Sequence, residues 1–356
     1  MSDLTERAVQ RLLSERDLVA LVAMGLVVLA VFSLVTDTFL TVISFQVMGF
    51  QVAEVALLSL AVMLSMLTGG IDLSIVSVAS IAALVVAKGF AATNAATAGS
   101  GRALWLTVAF IALGLLAGVA CGLVNGFLIA KLRITPILAT LATLQILNGI
   151  GIAWTGGVTV YGMPNQFLNV GGGYVYHVPI PVLILLGAAF LTGVFVNRTG
   201  IGLRVRLVGA NPTAARYSGL NPTRVLYATY VASALLASIA GVIIASRAAS
   251  ASADYGASYL LLAIVIVVLG GVSPLGGYGT VTGVVLSAFV LQMVSTGFNM
   301  VEFSAFAYQI AQGVILIAVI GLNTLTQRYG GAWRSRLLRS RRRAAATGDP
   351  STARTQ

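Results

Sequence analysis

The stretch from Val52 to Val86 is apolar almost throughout and is long enough to enter a bilayer more than once, yet it is interrupted at Leu67–Ser74 by the run LTGGIDLS. Two adjacent glycines, Gly69 and Gly70, break the helix, and Asp72 follows at a depth where an ionisable group is costly. In hydrocarbon, backbone N–H and C=O groups freed by such a break need protein or the water of a cavity as partners. A chain with this feature folds as membrane-spanning helices around a polar interior, and transport is the first function it suggests.

The composition agrees. Of the 356 residues, 58% are hydrophobic and only 9% charged, against roughly a quarter charged in soluble domains, and the mean hydropathy is +0.98. The reading is an all-α, polytopic membrane protein. With about 20 apolar residues per span the chain has room for about ten transmembrane helices. They are expected at 18–35, 42–66, 72–91, 104–130, 135–155, 179–196, 226–246, 258–270, 279–300 and 304–322, the eighth being short enough to be half of a re-entrant element. Glu54 is placed near the entry to its span and is not nominated for a role.

Ten spans sort the basic residues sharply. All but Lys88, Arg102 and Arg247 of the 21 lysines and arginines fall on one side, which predicts cytoplasmic N and C termini. This gives a cytoplasmic or interfacial segment 1–17, a permease domain 18–322 with one long cytoplasmic loop at 197–224, and a basic, disordered tail 323–356. Within 3–16, Leu4, Ala8, Leu12 and Leu13 share one helical face, which fits an interfacial helix or a solvated leader. Arginines crowd the stretch directly after the last span, so the net charge of +11 points to membrane lipids with anionic headgroups and not to nucleic acid. The single cysteine, Cys121, falls within a span and has no partner in the chain.

Three local patterns organise the rest. Gly114, Gly118, Gly122 and Gly126 recur every four residues, stripping side chains from one helical face so that another helix can pack closely. A second glycine-rich break, LGGVSPLGGYG at Leu269–Gly279, follows the same order of apolar run, glycine pair and polar segment as the first. Gly-interrupted helices in both halves fit an internally repeated transporter, while a plain turn is the competing reading. In the loop 197–224, Asn211 is suited to cap a helix, Pro212 to its first position and Gly219 to its end, giving about two turns of helix over NPTAARYSG.

LTGGIDLS, GLVNGFLIAKLRITPILATLATLQILNGI at Gly122–Ile150, GANPTAARYSGL at Gly209–Leu220 and LGGVSPLGGYGTVTGVVL at Leu269–Leu286 occur in that order. Together they resemble the permease subunit of ribose-type sugar importers of the ATP-binding-cassette class, over residues 40–322. The resemblance implies a multi-pass permease of the bacterial cytoplasmic (inner) membrane, paired with a second copy of itself or a similar permease chain. It also implies two cytoplasmic ATPase subunits and a periplasmic or lipid-anchored sugar-binding protein. By the same resemblance Gly209, Asn211, Pro212, Ala214, Ala215, Arg216 and Gly219 belong to the segment that couples to the ATPase, and Thr68–Asp72 lies near the translocation pathway. Two positions depart from the pattern: Val76 stands where such permeases often have glycine, and so does Ser287 after the second break.

A P-loop needs a lysine after glycine followed by Ser or Thr; the two lysines, Lys88 and Lys131, stand in neither context. The chain is therefore read as a transport subunit and not an enzyme, with ATP hydrolysis on a partner, no cofactor and no metal site. Gln51, Thr68, Gly69, Gly70, Asp72, Asn125, Asn148 and Asn299 are the candidate pathway residues, chosen for polarity or exposed backbone at membrane depth; interhelical hydrogen bonding competes for each. For Asp72, capping of the following helix is an equal alternative. Other readings are a branched-chain amino acid permease of the same class and an ion-coupled secondary transporter. The second is poor in the buried carboxylates and histidines it needs, since His177 lies in an outer loop. One histidine and one cysteine also leave no metal-centred or Ser-His chemistry for an intramembrane enzyme.

Overall fold

A computed structural model describes residues 2–317 apart from 257, 305 and 316, with the backbone alone over 2–17. In chain order the helices are α1 Ser2–Val35, α2 Val42–Leu67, α3 Ile75–Thr93, α4 Ser100–Gly126, α5 Pro136–Thr155 and α6 Asn165–Gly172. They continue as α7 Ile180–Arg198, α8 Gly200–Ala210, α9 Pro212–Tyr217, α10 Pro222–Ala248, α11 Tyr259–Leu269 and α12 Val281–Met300. A two-residue hairpin, Tyr174–Val175 with Val178–Pro179, precedes α7, and α4 runs on through a π-helical turn, Phe127–Lys131.

Eight helices among the described residues are long and apolar enough to span a membrane. Seven match expected spans within a few residues, and α1 contains the other as 18–35 but runs back without a break to Ser2. The eighth expected span is α11, only 11 residues long and therefore about 16 Å, half a bilayer. The tenth, 304–322, is helical over 306–315, and its remainder lies outside the described residues, as does the tail 323–356. The helical face expected over 3–16 concerns side chains that are likewise outside them.

The helix ends follow from local chemistry. Thr41, Asn221 and Thr280 accept the N–H of Ser44, Arg224 and Gly283 at the starts of α2, α10 and α12. Pro136 and Pro222 occupy first positions, where no intrahelical donor is lost. Several buried hydroxyls close on their own helices, as Ser59 does on the Val55 carbonyl and Thr229 on that of Val225, while Ser233 crosses to the Ala61 carbonyl and the hydroxyls of Ser44 and Tyr230 have no partner among the described residues.

The bundle has an inside and an outside. The apolar stretches of α2, α3 and α10 are 83%, 72% and 72% buried, whereas that of α1 is 6% and those of α4 and α5 are 22%. The peripheral helices carry large exposed side chains such as Leu26, Trp105, Leu138 and Phe190, which is the surface a hydrocarbon solvent requires. Along α4 the glycine stripe faces inward. A Cβ at Gly114 would stand 2.9 Å from the Ala82 carbonyl of α3, at Gly122 2.7 Å from the Tyr230 carbonyl of α10, and at Gly126 2.8 Å from the Tyr227 ring. At Gly118 it would run into the Ser238 side chain. These contacts set the α4 backbone by van der Waals packing against backbone of α3 and α10 and against the Tyr227 and Ser238 side chains, and such packing is the main source of helix adhesion in lipid.

Candidate functional site

Between α2 and α3 the first break leaves seven residues outside helix, and side chains close it. Thr68 donates its hydroxyl to the Ser65 carbonyl at 2.7 Å, and the Ser65 hydroxyl accepts the N–H of Asp72 at 3.2 Å. Asp72 is 1% exposed. Its Oδ1 accepts both the N–H and the hydroxyl of Ser74, at 3.0 and 2.6 Å, directly ahead of α3. Asn125 of α4 donates to that same Ser74 hydroxyl at 2.7 Å. Thr140 of α5 accepts the Leu73 N–H at 3.2 Å and donates to the Pro136 carbonyl. Asp72 thus caps the turn that leads into α3, and the break is tied to α4 and α5 by a buried polar network.

The second break, 270–280, closes through backbone. Gly271, Gly276 and Gly277 have φ of +78°, +91° and +82°, a left-handed region that disfavours side chains. The Gly277 N–H donates to the Leu67 carbonyl at the end of α2, 3.0 Å away. A Cβ on Gly276 would lie 2.7 Å from the Gly69 nitrogen and 2.9 Å from the Gly209 carbonyl. The two glycine breaks and the end of α8 therefore meet backbone to backbone at one junction. Arg206 of α8 reaches in as well, donating to Asn197 at 2.6 Å and to the Gly279 carbonyl at 3.4 Å. Its partial burial lowers the guanidinium pKa from the usual value by desolvation.

From that junction the chain passes directly into α9. Asn211 accepts the Ala214 N–H at 2.9 Å, Pro212 opens the helix, and Gly219 follows at φ +77°. Asn211, Pro212, Ala214, Arg216 and Gly219 are exposed; Ala215 is turned inward and buried, and Gly209 is buried in the junction. Tyr217, not singled out in the sequence, is 90% exposed and is the most prominent apolar group of the segment.

A third interruption, 249–258, separates α10 from α11. Its start is pinned by a bridge between Ala251 and Val160, with N–H to O distances of 2.8 and 2.9 Å. Beside it Arg247 makes a bidentate ion pair with Glu54, at 2.6 and 2.9 Å, and Tyr259 donates to the same carboxylate at 3.2 Å. Glu54 is not near the entry to its span: it is fully buried at the midpoint of the 26-residue α2, about 18–20 Å from either end. Nor is Arg247 merely an outer-loop charge. Glu54 is the buried member of the pair, and a charge persists at such a depth only when it is paired and hydrogen-bonded; the Arg247 end is exposed. The start of α11 thus sits level with the middle of α2, so non-helical backbone reaches membrane depth, where it must be covered by protein or line a cavity.

A cavity of about 190 Å³ does adjoin it, bounded by α3, α5, Ala253 and Leu260. Ser77, Ser80 and Asn148 are its polar walls, and Val76 is among its apolar ones. Asn148 donates to Asp254 at 3.3 Å while its buried Oδ1 has no partner among the described residues.

The nominated pathway residues therefore separate into groups. Thr68, Gly69, Gly70, Asp72 and Asn125 belong to the first break, with Gly70 against Pro136 and Tyr230. Gln51 pairs across to Gln292 of α12. Asn148 lines the cavity. Asn299 is exposed and bonds its own helix at Ser295. Sequence reasoning missed Ser77, Ser80, Asp254 and the Glu54–Arg247 pair. One signal was available for the pair: an acidic residue inside one apolar span and a basic one closing another are each too costly in a bilayer without a partner.

Membrane-length helices, half-length pieces, non-helical backbone at depth and a surface helix fixed to the junction of two breaks define a solute permease. Residues 48–320 match the model of the branched-chain amino acid transport system / permease component family, and the chain belongs to that family. Among curated relatives it is 33% identical over 301 residues to the ribose import permease protein of Bacillus subtilis, covering 83% of this chain and 90% of that one. It is 31% identical over 290 residues to the L-arabinose transport system permease protein of Escherichia coli, covering 82% and 85%. With the ribose import permease protein of Escherichia coli it shares 30% identity over 315 residues, covering 87% and 93%. No solved structure matches the chain. The family and the apolar helices make this a multi-pass inner-membrane protein, a transport component rather than an enzyme, that works with ATPase and solute-binding partners.

Proposed function

We propose that the chain is the permease subunit of an ATP-driven importer for a neutral monosaccharide or a related small polar solute. ATP is hydrolysed on separate cytoplasmic subunits, and the sugar arrives from a periplasmic or lipid-anchored binding protein. The three relatives above are a ribose or an L-arabinose permease by name. A second permease chain, identical or similar, completes the pathway. The loop 197–224 and both termini face the cytoplasm, and the charge of the basic tail favours membranes rich in anionic headgroups.

One observation supports the coupling role of α9 most directly. The segment that presents Tyr217 is continuous with α8, and the end of α8 is packed without intervening side chains against the ends of both broken helices. A displacement of α9 by the ATPases would be transmitted by backbone contact to α2 and to the turn ahead of α12. Two packed arrangements of that junction, one favoured by the ATP-bound partner, suffice for alternating access.

Tyr217→Asp tests this. It places a charge where an apolar side chain would enter a partner surface, a change expected to cost about 2 kcal/mol or more at a hot spot. The expected outcome is at least a tenfold loss of ATPase co-purified from native membranes, with the thermal stability of the permease unchanged. Normal assembly together with normal ATP-driven uptake would refute the assignment of α9.

A further inference from the structure

We propose that the cavity beside the interruption 249–258 is a solute compartment within the single permease chain, fitted to one neutral polyhydroxylated molecule of small-sugar size. The inference rests on the sugar-import reading above and names the place in this chain where the sugar is held.

Size comes first. A volume of about 190 Å³ would hold roughly six waters at about 30 Å³ each, or one small monosaccharide in their place.

The wall chemistry selects further. The buried Asn148 Oδ1 is an acceptor with no donor among the described residues. The Asn148 amide is spent outside the cavity lining, on the exposed Asp254 carboxylate at 3.3 Å. Ser77 spends its proton on the Leu144 carbonyl at 3.1 Å, which leaves its oxygen as an acceptor. Ser80 has no hydrogen-bonding partner among the described residues, and its hydroxyl can donate or accept. A surplus of acceptors over donors asks for a ligand carrying several O–H groups. No lysine or arginine is among the described residues that line the cavity, so the carboxylate of a free amino acid would enter unpaired, at a prohibitive cost. Few hydrogen bonds and apolar surface from Val76 and Leu260 on the remaining wall also suit a stop on a pathway, which must release what it binds.

The position is consistent with passage. The cavity abuts the segment of non-helical backbone that reaches the depth of the middle of α2, and that segment is anchored at both ends, by Arg247 on Glu54 and by Tyr259 on the same carboxylate.

The test uses the permease assembled with its own ATPase and binding protein in liposomes, with radiolabelled D-ribose and L-arabinose as probes. Ser80→Cys in a Cys121→Ala background is assembled first and then modified during turnover with a small methanethiosulfonate, so folding is complete before the cavity is filled. Uptake of the transported sugar is expected to fall at least tenfold on modification, with excess sugar slowing the labelling. Asn148→Leu is expected to raise KM for uptake about tenfold. Unchanged uptake after full modification overturns the proposal. So does a thiol introduced by Ser80→Cys that is never labelled, because the compartment then does not open to solvent. If the unmodified complex carries neither sugar, the sugar-import reading itself has failed and this inference falls with it. Sugar uptake that proceeds normally and is insensitive to the modification removes the compartment alone.

Discussion

The two glycine breaks look alike in sequence and are built on opposite principles. At 68–74 the freed backbone and the charge are absorbed by side chains: Asp72, Ser74, Asn125, Thr140 and Ser65 form one buried hydrogen-bonded set reaching three helices. At 270–280 side chains are mostly absent from the closure. Three left-handed glycines let one strand of backbone lie on another, with the Gly277 to Leu67 bond as the tie. The first is fixed by directional bonds and the second by the lack of volume.

That contrast can be broken at several points. The largest effect is expected for Gly276→Ala, which combines left-handed strain with a Cβ 2.7 Å from the Gly69 nitrogen. A loss of about 2–5 kcal/mol should show as a much lower unfolding midpoint in detergent and poor assembly with the ATPase. Asp72→Ala removes the cap of the turn into α3 and leaves the Ser74 N–H and hydroxyl short of an acceptor, for about 2–3 kcal/mol. Asp72→Asn keeps an oxygen at the same place and should recover most of the thermal stability; equal damage from both would show that the charge, and not the cap, is what the site needs. Thr140→Val strands the Leu73 N–H and is expected to cost about 1–2 kcal/mol by the same measurement. Thr68→Val should move the midpoint least, by about 0.5 kcal/mol or less, since its hydroxyl bonds only the end of the helix before it and the residue is partly exposed.

The departures at Val76 and Ser287 sharpen the picture further. Ser287 anchors α12 to α11 through a 2.7 Å bond to the Ile266 carbonyl, a tie that glycine would not make. Val76 is buried, lines the 190 Å³ cavity and stands against Gly256. Val76→Gly is accordingly expected to widen the compartment and shift the ratio of KM values between pentose and hexose probes in the uptake assay.

The helices themselves were legible in the sequence because each span is a run of apolar residues bounded by Thr, Asn, Pro or Gly, and those signals act locally. The α9 helix was legible for the same reason, through Asn211, Pro212 and Gly219. Glu54 shows where such reading stops. Its pairing with Arg247 joins positions 193 apart in the chain, and nothing in the neighbourhood of either residue names the other. The short span at 258–270 was legible as half of a re-entrant element, but the depth of the interruption 249–258 before it was not, because it carries a single glycine, Gly256, and its small residues resemble an ordinary outer turn. Only the half-length of α11 and the level at which Tyr259 meets Glu54 place it at depth.

The sequence by itself determined that this is a membrane bundle, where most of its spans lie to within a few residues, and that two of them are interrupted by glycine, because hydropathy, capping and the missing Cβ act over a few residues. The tertiary structure alone decided that both breaks and the end of α8 share one junction, that Asp72 caps the turn into α3, and that Asn148, Ser77 and Ser80 face a common space. Those outcomes depend on which distant backbones can approach when a side chain is missing, and on which buried polar atoms find partners once the helices have packed.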